Sequence, residues 1–197
     1  MQSGTKKMGS SNSNGTRSSL EGKLYALVIY LPQPLGSFLD HLRLEMVPGC
    51  NPHAHVSVLP PRPLPVPPDA AIAEARRIVA EFAPFDIELG QIEKFDSTDV
   101  LYISVEAGAD QLRRMHASLN RGALAFQEPF PYHPHVTLAQ EIPPGSVASL
   151  RDLAAARWAD FAGARSFRVA STVFVRNTQG NLWVDLADGP LCAAPVG

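Results

Sequence analysis

Two short stretches of this chain carry the residue types that move protons and hold anions. The first is His53-Ala54-His55-Val56-Ser57-Val58, and the second is His133-Pro134-His135-Val136-Thr137-Leu138. Each sets a histidine two residues before a hydroxyl residue, with a second histidine two residues further upstream. Four of the six histidines lie in these stretches, and His55 and His135 are 80 residues apart. Aliphatic and β-branched residues between breakers predict a strand at both places. Side chains at i, i+2 and i+4 of a strand share a face. His53, His55 and Ser57 then line one face, while Ala54, Val56 and Val58 turn to a core. His133, His135 and Thr137 repeat the arrangement.

Imidazole has an ordinary pKa of about 6.5, so of two histidines one can be neutral while the other is protonated. Such a pair suits concerted general base and general acid catalysis. Ser and Thr hydroxyls donate hydrogen bonds to phosphoryl oxygens without adding charge. A phosphodiester would use all four groups. One histidine takes a proton from water or a hydroxyl, the other protonates the departing alkoxide, and the hydroxyls hold the non-bridging oxygens.

The elements that must position these residues repeat as well. An apolar run, Leu24 to Leu31, reads as a buried strand. Leu35, Phe38, Leu39, Leu42 and Met46 form a helical stripe that stops at Pro48-Gly49. After the first motif strand and the prolines of 60–68, Asp69 is expected to cap a helix. Strands follow at 85–95 and 100–105, then a helix carrying Leu112, Met115 and Leu119, then the second motif strand. Ser146 is expected to cap a last helix. Residues 166–176 read as a strand pair or one bent strand, and 182–186 as the final strand. The match of 85–89 with 167–171, and of 100–103 with 182–185, suggests one unit run twice. The expected fold is α+β and bilobal. Two small, mainly antiparallel sheets would face each other across a groove, with helices outside and His55 opposite His135.

Composition sets the bounds. A chain of 197 residues with 45% hydrophobic residues can build a real core. Its net charge of −2 excludes a broad cationic field for nucleic acid. Cys50 and Cys192 have neither disulfide-framework nor metal-ligand spacing, which fits a reducing cytoplasm. No apolar run is of membrane-spanning length, and no signal peptide is expected. Residues 1–22, rich in Ser, Gly and Asn, read as a disordered tail or cloning remnant. Residues 23–190 read as one bilobal domain and 191–197 as a tail.

With two such motifs inside an internal repeat, the sequence resembles the two-histidine phosphoesterase superfamily, and within it the bacterial 2′-5′ RNA ligase-like proteins. Ala54-His55-Val56-Ser57-Val58 and Pro134-His135-Val136-Thr137-Leu138 carry the resemblance, which spans about residues 24 to 188. It implies cleavage of 2′,3′-cyclic phosphates or related diesters of RNA ends or nucleotides. It implies no metal or other cofactor, and in some members reversible 2′-5′ joining. It assigns His55 and His135 as the acid/base pair and Ser57 and Thr137 as phosphate ligands. His53 and His133 share their strand face and are candidates to contact substrate. Tyr132, with Phe130 nearby, is a candidate to stack on a base, packing being the competing role. Arg62 and Arg176 could reach a phosphate, though a surface charge is the simpler reading. A monomer is expected. Two rivals stay open: a zinc site of His53, His55, His133 and His135, and a module that binds RNA ends or nucleotides without chemistry.

Overall fold

The computed structural model describes residues 23–178 and 182–192. The readings of 1–22 and of 193–197 therefore lie outside the described residues. The chain opens with β1 (Tyr25–Tyr30), α1 (Leu35–Met46) and β2 (His55–Arg62). Then come α2 (Pro68–Val79), β3 (Phe85–Lys94) and β4 (Leu101–Ala107). Next are α3 (Ala109–Leu119), β5 (His135–Ala139) and α4 (Val147–Asp160). Three strands finish it: β6 (Ser166–Val169), β7 (Ser171–Asn177) and β8 (Trp183–Pro190). The helices form where the apolar spacing requires them. In α1, Leu35, Leu39, Leu42 and Met46 are buried along one stripe. Two caps differ from expectation. Pro67 stands at the N-cap of α2, so Asp69 lies in its first turn, and Ser146 begins α4 without a side-chain capping bond.

The strands form one eight-stranded sheet in the order β6-β3-β4-β5-β2-β1-β7-β8, with every neighbouring pair antiparallel. The two separate sheets expected from the sequence are thus halves of one sheet, β6-β3-β4-β5 and β2-β1-β7-β8, joined where β2 meets β5. The motif strands are neighbours at the centre and not opposite walls.

The sheet is also curled. β6 lies at one end of the order and β7 is next to the other end, yet only Ala170 separates them in the chain. Consecutive Cα atoms are about 3.8 Å apart, so the two ends of the sheet must approach each other. Leu191 ties the bend down by donating its N–H to the Ala170 carbonyl at 2.9 Å.

The two halves expected from the sequence exchange strands. β3 leaves the first unit and pairs with β4, which opens the second. β7 leaves the second unit and pairs with β1. The segments matched from sequence, 85–89 and 167–171, do not occupy equivalent places. They are partners, paired from Phe85↔Val169 to Glu88↔Ser166. The helices cross over too: α1 packs on β5 and α3 on β2. They cover the apolar sheet face, where Val56, Val58, Val136 and Leu138 are buried. One close approach requires glycine. A Cβ on Gly36 would come within 2.6 Å of the Leu31 backbone carbonyl oxygen. The Gly90 carbonyl accepts the Trp158 indole N–H at 2.8 Å.

A buried polar brace holds the long connection between α3 and β5. Arg62, at the end of β2, is 1% exposed. Its guanidinium donates to Pro60 O, Asn120 Oδ1 and Leu124 O, and to the carboxylate of Glu128. His116 Nε2 lies 3.5 Å from the same carboxylate, and its Nδ1 is bonded to Val58 O at 2.9 Å. Arg62 is therefore structural, neither a phosphate ligand nor a surface charge. Removing one member of a buried pair strands the other charge, at a cost of about 3–5 kcal/mol. Arg62→Ala should lower unfolding stability by about that much in urea, and Arg62→Met with Glu128→Leu should recover most of it. A loss under about 1 kcal/mol for the single variant would contradict this account.

Candidate active site

The two motifs match in exposure position by position. From 53 to 59 and from 133 to 139 the residues run exposed, buried, half-buried, buried, half-buried, buried, buried. From His55 and from His135 onward the alternation comes from strand geometry, because the buried members face the helices, whereas His53 and His133 precede β2 and β5 and are not on the strand face expected for them. His55, Ser57, His135 and Thr137 lie on the other face.

Their mutual placement follows from the register. Val56 lies opposite Val136, the single registered pair joining β2 to β5. In an antiparallel pair, a step forward on one strand is a step back on the other. His55 is thus set across from Thr137, and Ser57 across from His135. The two histidines are on a diagonal and not face to face as the sequence suggested. Directly opposed side chains have Cβ atoms about 5 Å apart and diagonal positions are about 7–8 Å apart. That diagonal leaves room for a phosphoryl group between the rings, with a hydroxyl beside each.

Both catalytic candidates are oriented the same way. His55 Nδ1 lies 2.6 Å from the His53 carbonyl, and His135 Nδ1 lies 2.7 Å from the His133 carbonyl. A carbonyl only accepts, so each Nδ1 carries its proton and donates it. Each Nε2 is then the free nitrogen, a base when the ring is neutral and an acid when it is protonated. Neither the Ser57 nor the Thr137 hydroxyl is hydrogen-bonded within the described residues, so both can serve a ligand.

Burial disfavours the charged form of each ring, lowering both pKa values below the ordinary histidine value. At His55 the nearby charges of Arg43, His53 and His135 add to that lowering, while the bond to the His53 carbonyl opposes it. At His135 the charge of His133 acts the same way, against the bond to the His133 carbonyl. The free site therefore favours two neutral histidines.

Aromatic rings fix the outer histidines. His53 stacks on Tyr30 with centroids 3.6 Å apart, and the Tyr30 hydroxyl donates to Asp185 Oδ1 at 2.6 Å. The rings of Phe95 and Tyr102 meet His133 and His135 edge-on, with His135 5.1 Å from Phe95. Tyr132 serves the wall. Its ring stacks on His116 at 4.0 Å and its hydroxyl donates to the Ser57 carbonyl at 2.8 Å. Phe130 is 59% exposed nearby. Arg176 lies on β7 opposite Tyr25, away from both cavities described next.

Two cavities flank the histidine pair. One, of about 490 Å³, includes Tyr30, Arg43, His53, His55, Gln140 and Trp183 in its lining. The other, of about 470 Å³, includes Ser57, Phe95, Phe126, Tyr132, His133 and His135. Arg43 and Trp183 escaped sequence reasoning. Arg43 reads as one more charge on an amphipathic helix, and Trp183 as a residue of a terminal strand.

Comparison with known proteins gives this geometry its family. The family model described as "2'-5' RNA ligase superfamily" matches residues 31–181. The chain belongs to the 2′-5′ RNA ligase superfamily. Among curated proteins it is similar to a Geobacillus kaustophilus protein named "Putative phosphoesterase", 28% identical over 135 residues, covering 64% of this chain and 74% of that one. Among solved structures, Escherichia coli LigT complexed with 3′-AMP aligns with a TM-score of 0.61 at 15% identity, over 87% of this chain and all but 1% of LigT (99%). A Thermus thermophilus protein aligns with a TM-score of 0.59 at 19% identity, over 86% of this chain and 98% of its own. These structures share the α+β fold with its curled sheet.

Among the described residues no three or more His, Cys, Asp or Glu side chains gather where they could hold a metal ion. His53 is committed to Tyr30, while His133 packs against Phe95 and Tyr102 in the other half. Cys50 and Cys192 are both free thiols, and no helix of the described residues is long and apolar enough to cross a membrane.

Titration of the imidazole C2–H signals by NMR should place the midpoints of both His55 and His135 below about 6.5. Removing the positive charge in Arg43→Gln makes protonation of His55 easier, so its midpoint should rise while that of His135 stays nearly unchanged. Midpoints at or above 6.5 in the wild type would contradict the burial argument.

Proposed function

We propose that the protein is a metal-independent phosphodiesterase acting on 2′,3′-cyclic phosphates or 2′-5′ diesters at RNA ends or on nucleotides. The observation that carries this reading is the matched pair of Nε2 atoms, each freed by the same Nδ1 bond and each beside an uncommitted hydroxyl. His55 is the general base. Burial and the positive charge of Arg43 keep it neutral, and Arg43 has no counterpart among the groups acting on His135. His135 is the general acid, charged when the bound phosphate anion offsets its burial.

In the reaction, a water oxygen attacks phosphorus and His55 Nε2 takes the proton. The opposite P–O bond to the ribose breaks, and the leaving oxygen takes the proton from His135 Nε2. A phosphomonoester and a free hydroxyl result. Ser57 and Thr137 donate to the non-bridging oxygens as charge builds there. The cyclic diester already holds its leaving oxygen in place, so much of the entropic cost is met in the substrate. With an RNA hydroxyl in the place of water, the same proton transfers join two strands by a 2′-5′ bond. The E. coli LigT structures hold 3′-AMP, phosphate, NADP+ or ATP, which supports a nucleotide-sized ligand here. A reducing cytoplasmic setting and a monomeric enzyme fit the reading.

The test is hydrolysis of 2′,3′-cyclic AMP and of a 2′-5′-linked dinucleotide in EDTA. Wild-type activity should survive the chelator, and His55→Ala and His135→Ala should each lose about 10²–10⁴-fold in kcat. Activity abolished by EDTA and restored by zinc would overturn the mechanism.

A further inference from the structure

We infer that Arg43 forms a second anion site beside the histidine pair, selecting substrates that carry another phosphate next to the reacting one. This rests on the phosphodiesterase reading and narrows its substrate class. Arg43 lies in α1 and lines the same cavity as His53 and His55. Its Nε is buried with no hydrogen-bond partner. No hydrogen bond or ion pair engages its guanidinium within the described residues. Burial lowers its affinity for its proton, although it remains charged at any physiological pH.

A half-buried guanidinium with unused donors is unusual, because an unmet buried donor costs about 1–3 kcal/mol. The buried Arg62 of the same chain shows the ordinary solution, with four acceptors around it. One candidate partner for Arg43, the carboxylate of Asp40, instead accepts the Ala54 N–H at 2.6 Å and so fixes the approach to the motif strand. Asp40 acts on Arg43 by charge, with no hydrogen bond between them. Glu141 also lines the cavity but is exposed.

The ligand chemistry follows. The fork of Arg donors fits a phosphate in two-point contact. The reacting phosphate is already served by Ser57, Thr137 and the two histidines. Arg43 stands to one side, in a cavity that also offers Trp183 and the stacked pair Tyr30–His53. The opposite cavity is walled by Phe95, Phe126 and Tyr132 and has no arginine in its lining. The substrate is thus bipartite, with its charged arm on the His55 side and its apolar, base-bearing arm on the His135 side. A 5′-phosphate on the same nucleoside and the next phosphate of an RNA chain share this chemistry.

The experiment is calorimetric titration with three probes: adenosine 2′-phosphate, adenosine 2′,5′-bisphosphate and the dinucleotide ApAp with a terminal phosphate. Wild type should bind at least one of the two-phosphate ligands about ten- to a hundredfold tighter than adenosine 2′-phosphate. The ligand showing the advantage identifies the source of the second phosphate. Arg43→Gln should erase the advantage, and Arg43→Lys should keep part of it, with both variants unfolding at the wild-type midpoint. Equal affinities in wild type, or an advantage that survives Arg43→Gln, would overturn the inference and leave the phosphodiesterase reading in place. No binding of any probe to wild type would remove both. If Arg43→Gln fails to fold, Arg43→Lys decides, since an unchanged advantage there with the two-point fork gone contradicts the inference.

Discussion

The pairing of Val56 with Val136 is the constraint on which the site depends. It joins two four-stranded halves into one sheet. Because antiparallel strands run in opposite directions, it also sets each histidine across from the other motif's hydroxyl. Both valines are fully buried, so the core anchors the backbone there. A slip of one residue would turn His55 and Ser57 into the core and Val56 outward, which the burial of both strands forbids. Away from this one registered pair the strands are held by their outer neighbours, β2 by β1 and β5 by β4. The groove opens where the shared pairing stops.

Electrostatics completes what the pairing begins. The rings sit where water is partly excluded, so each prefers to be neutral, and the backbone carbonyls of His53 and His133 decide which nitrogen keeps the proton. In the proposed mechanism, an anion bound between the rings would offset the burial of one protonated imidazole. The brace of Arg62, Glu128 and His116 serves the same end at a distance. It fixes the connection that bears Tyr132, and the Tyr132 hydroxyl holds the carbonyl of Ser57. One half of the groove is therefore stiffened from behind by buried charge and the other by the Tyr30–Asp185 bond.

Much of this was legible in the residues. Period-two alternation gave the motif strands and their polar faces, and the spacing of Leu35, Leu39, Leu42 and Met46 gave the first helix. What escaped were facts of long-range pairing. Nothing local says that β3 pairs with β4 and β7 with β1, because strand exchange between units leaves each strand's composition unchanged. The similarity of 85–89 to 167–171 suggested equivalence, whereas similar edge-bearing strands can equally be partners, as these are. Arg62 looked exposed because a charge at a strand end usually is. Only the fold reveals that Asn120, Leu124 and Glu128 surround it. Arg43 was hidden for the opposite reason, since a helix face does not announce which of its charges overhangs a cavity.

The most direct test of the account is a crystal structure with orthovanadate bound, since vanadate adopts the five-coordinate geometry of a phosphoryl group in transfer. The account predicts vanadium between the two rings. Its apical oxygens should lie about 2.6–3.2 Å from the Nε2 atoms of His55 and His135, with the Ser57 and Thr137 hydroxyls on equatorial oxygens. Each Nδ1 should remain on its backbone carbonyl. Vanadate bound elsewhere, or held by one histidine alone or through Nδ1, would contradict it.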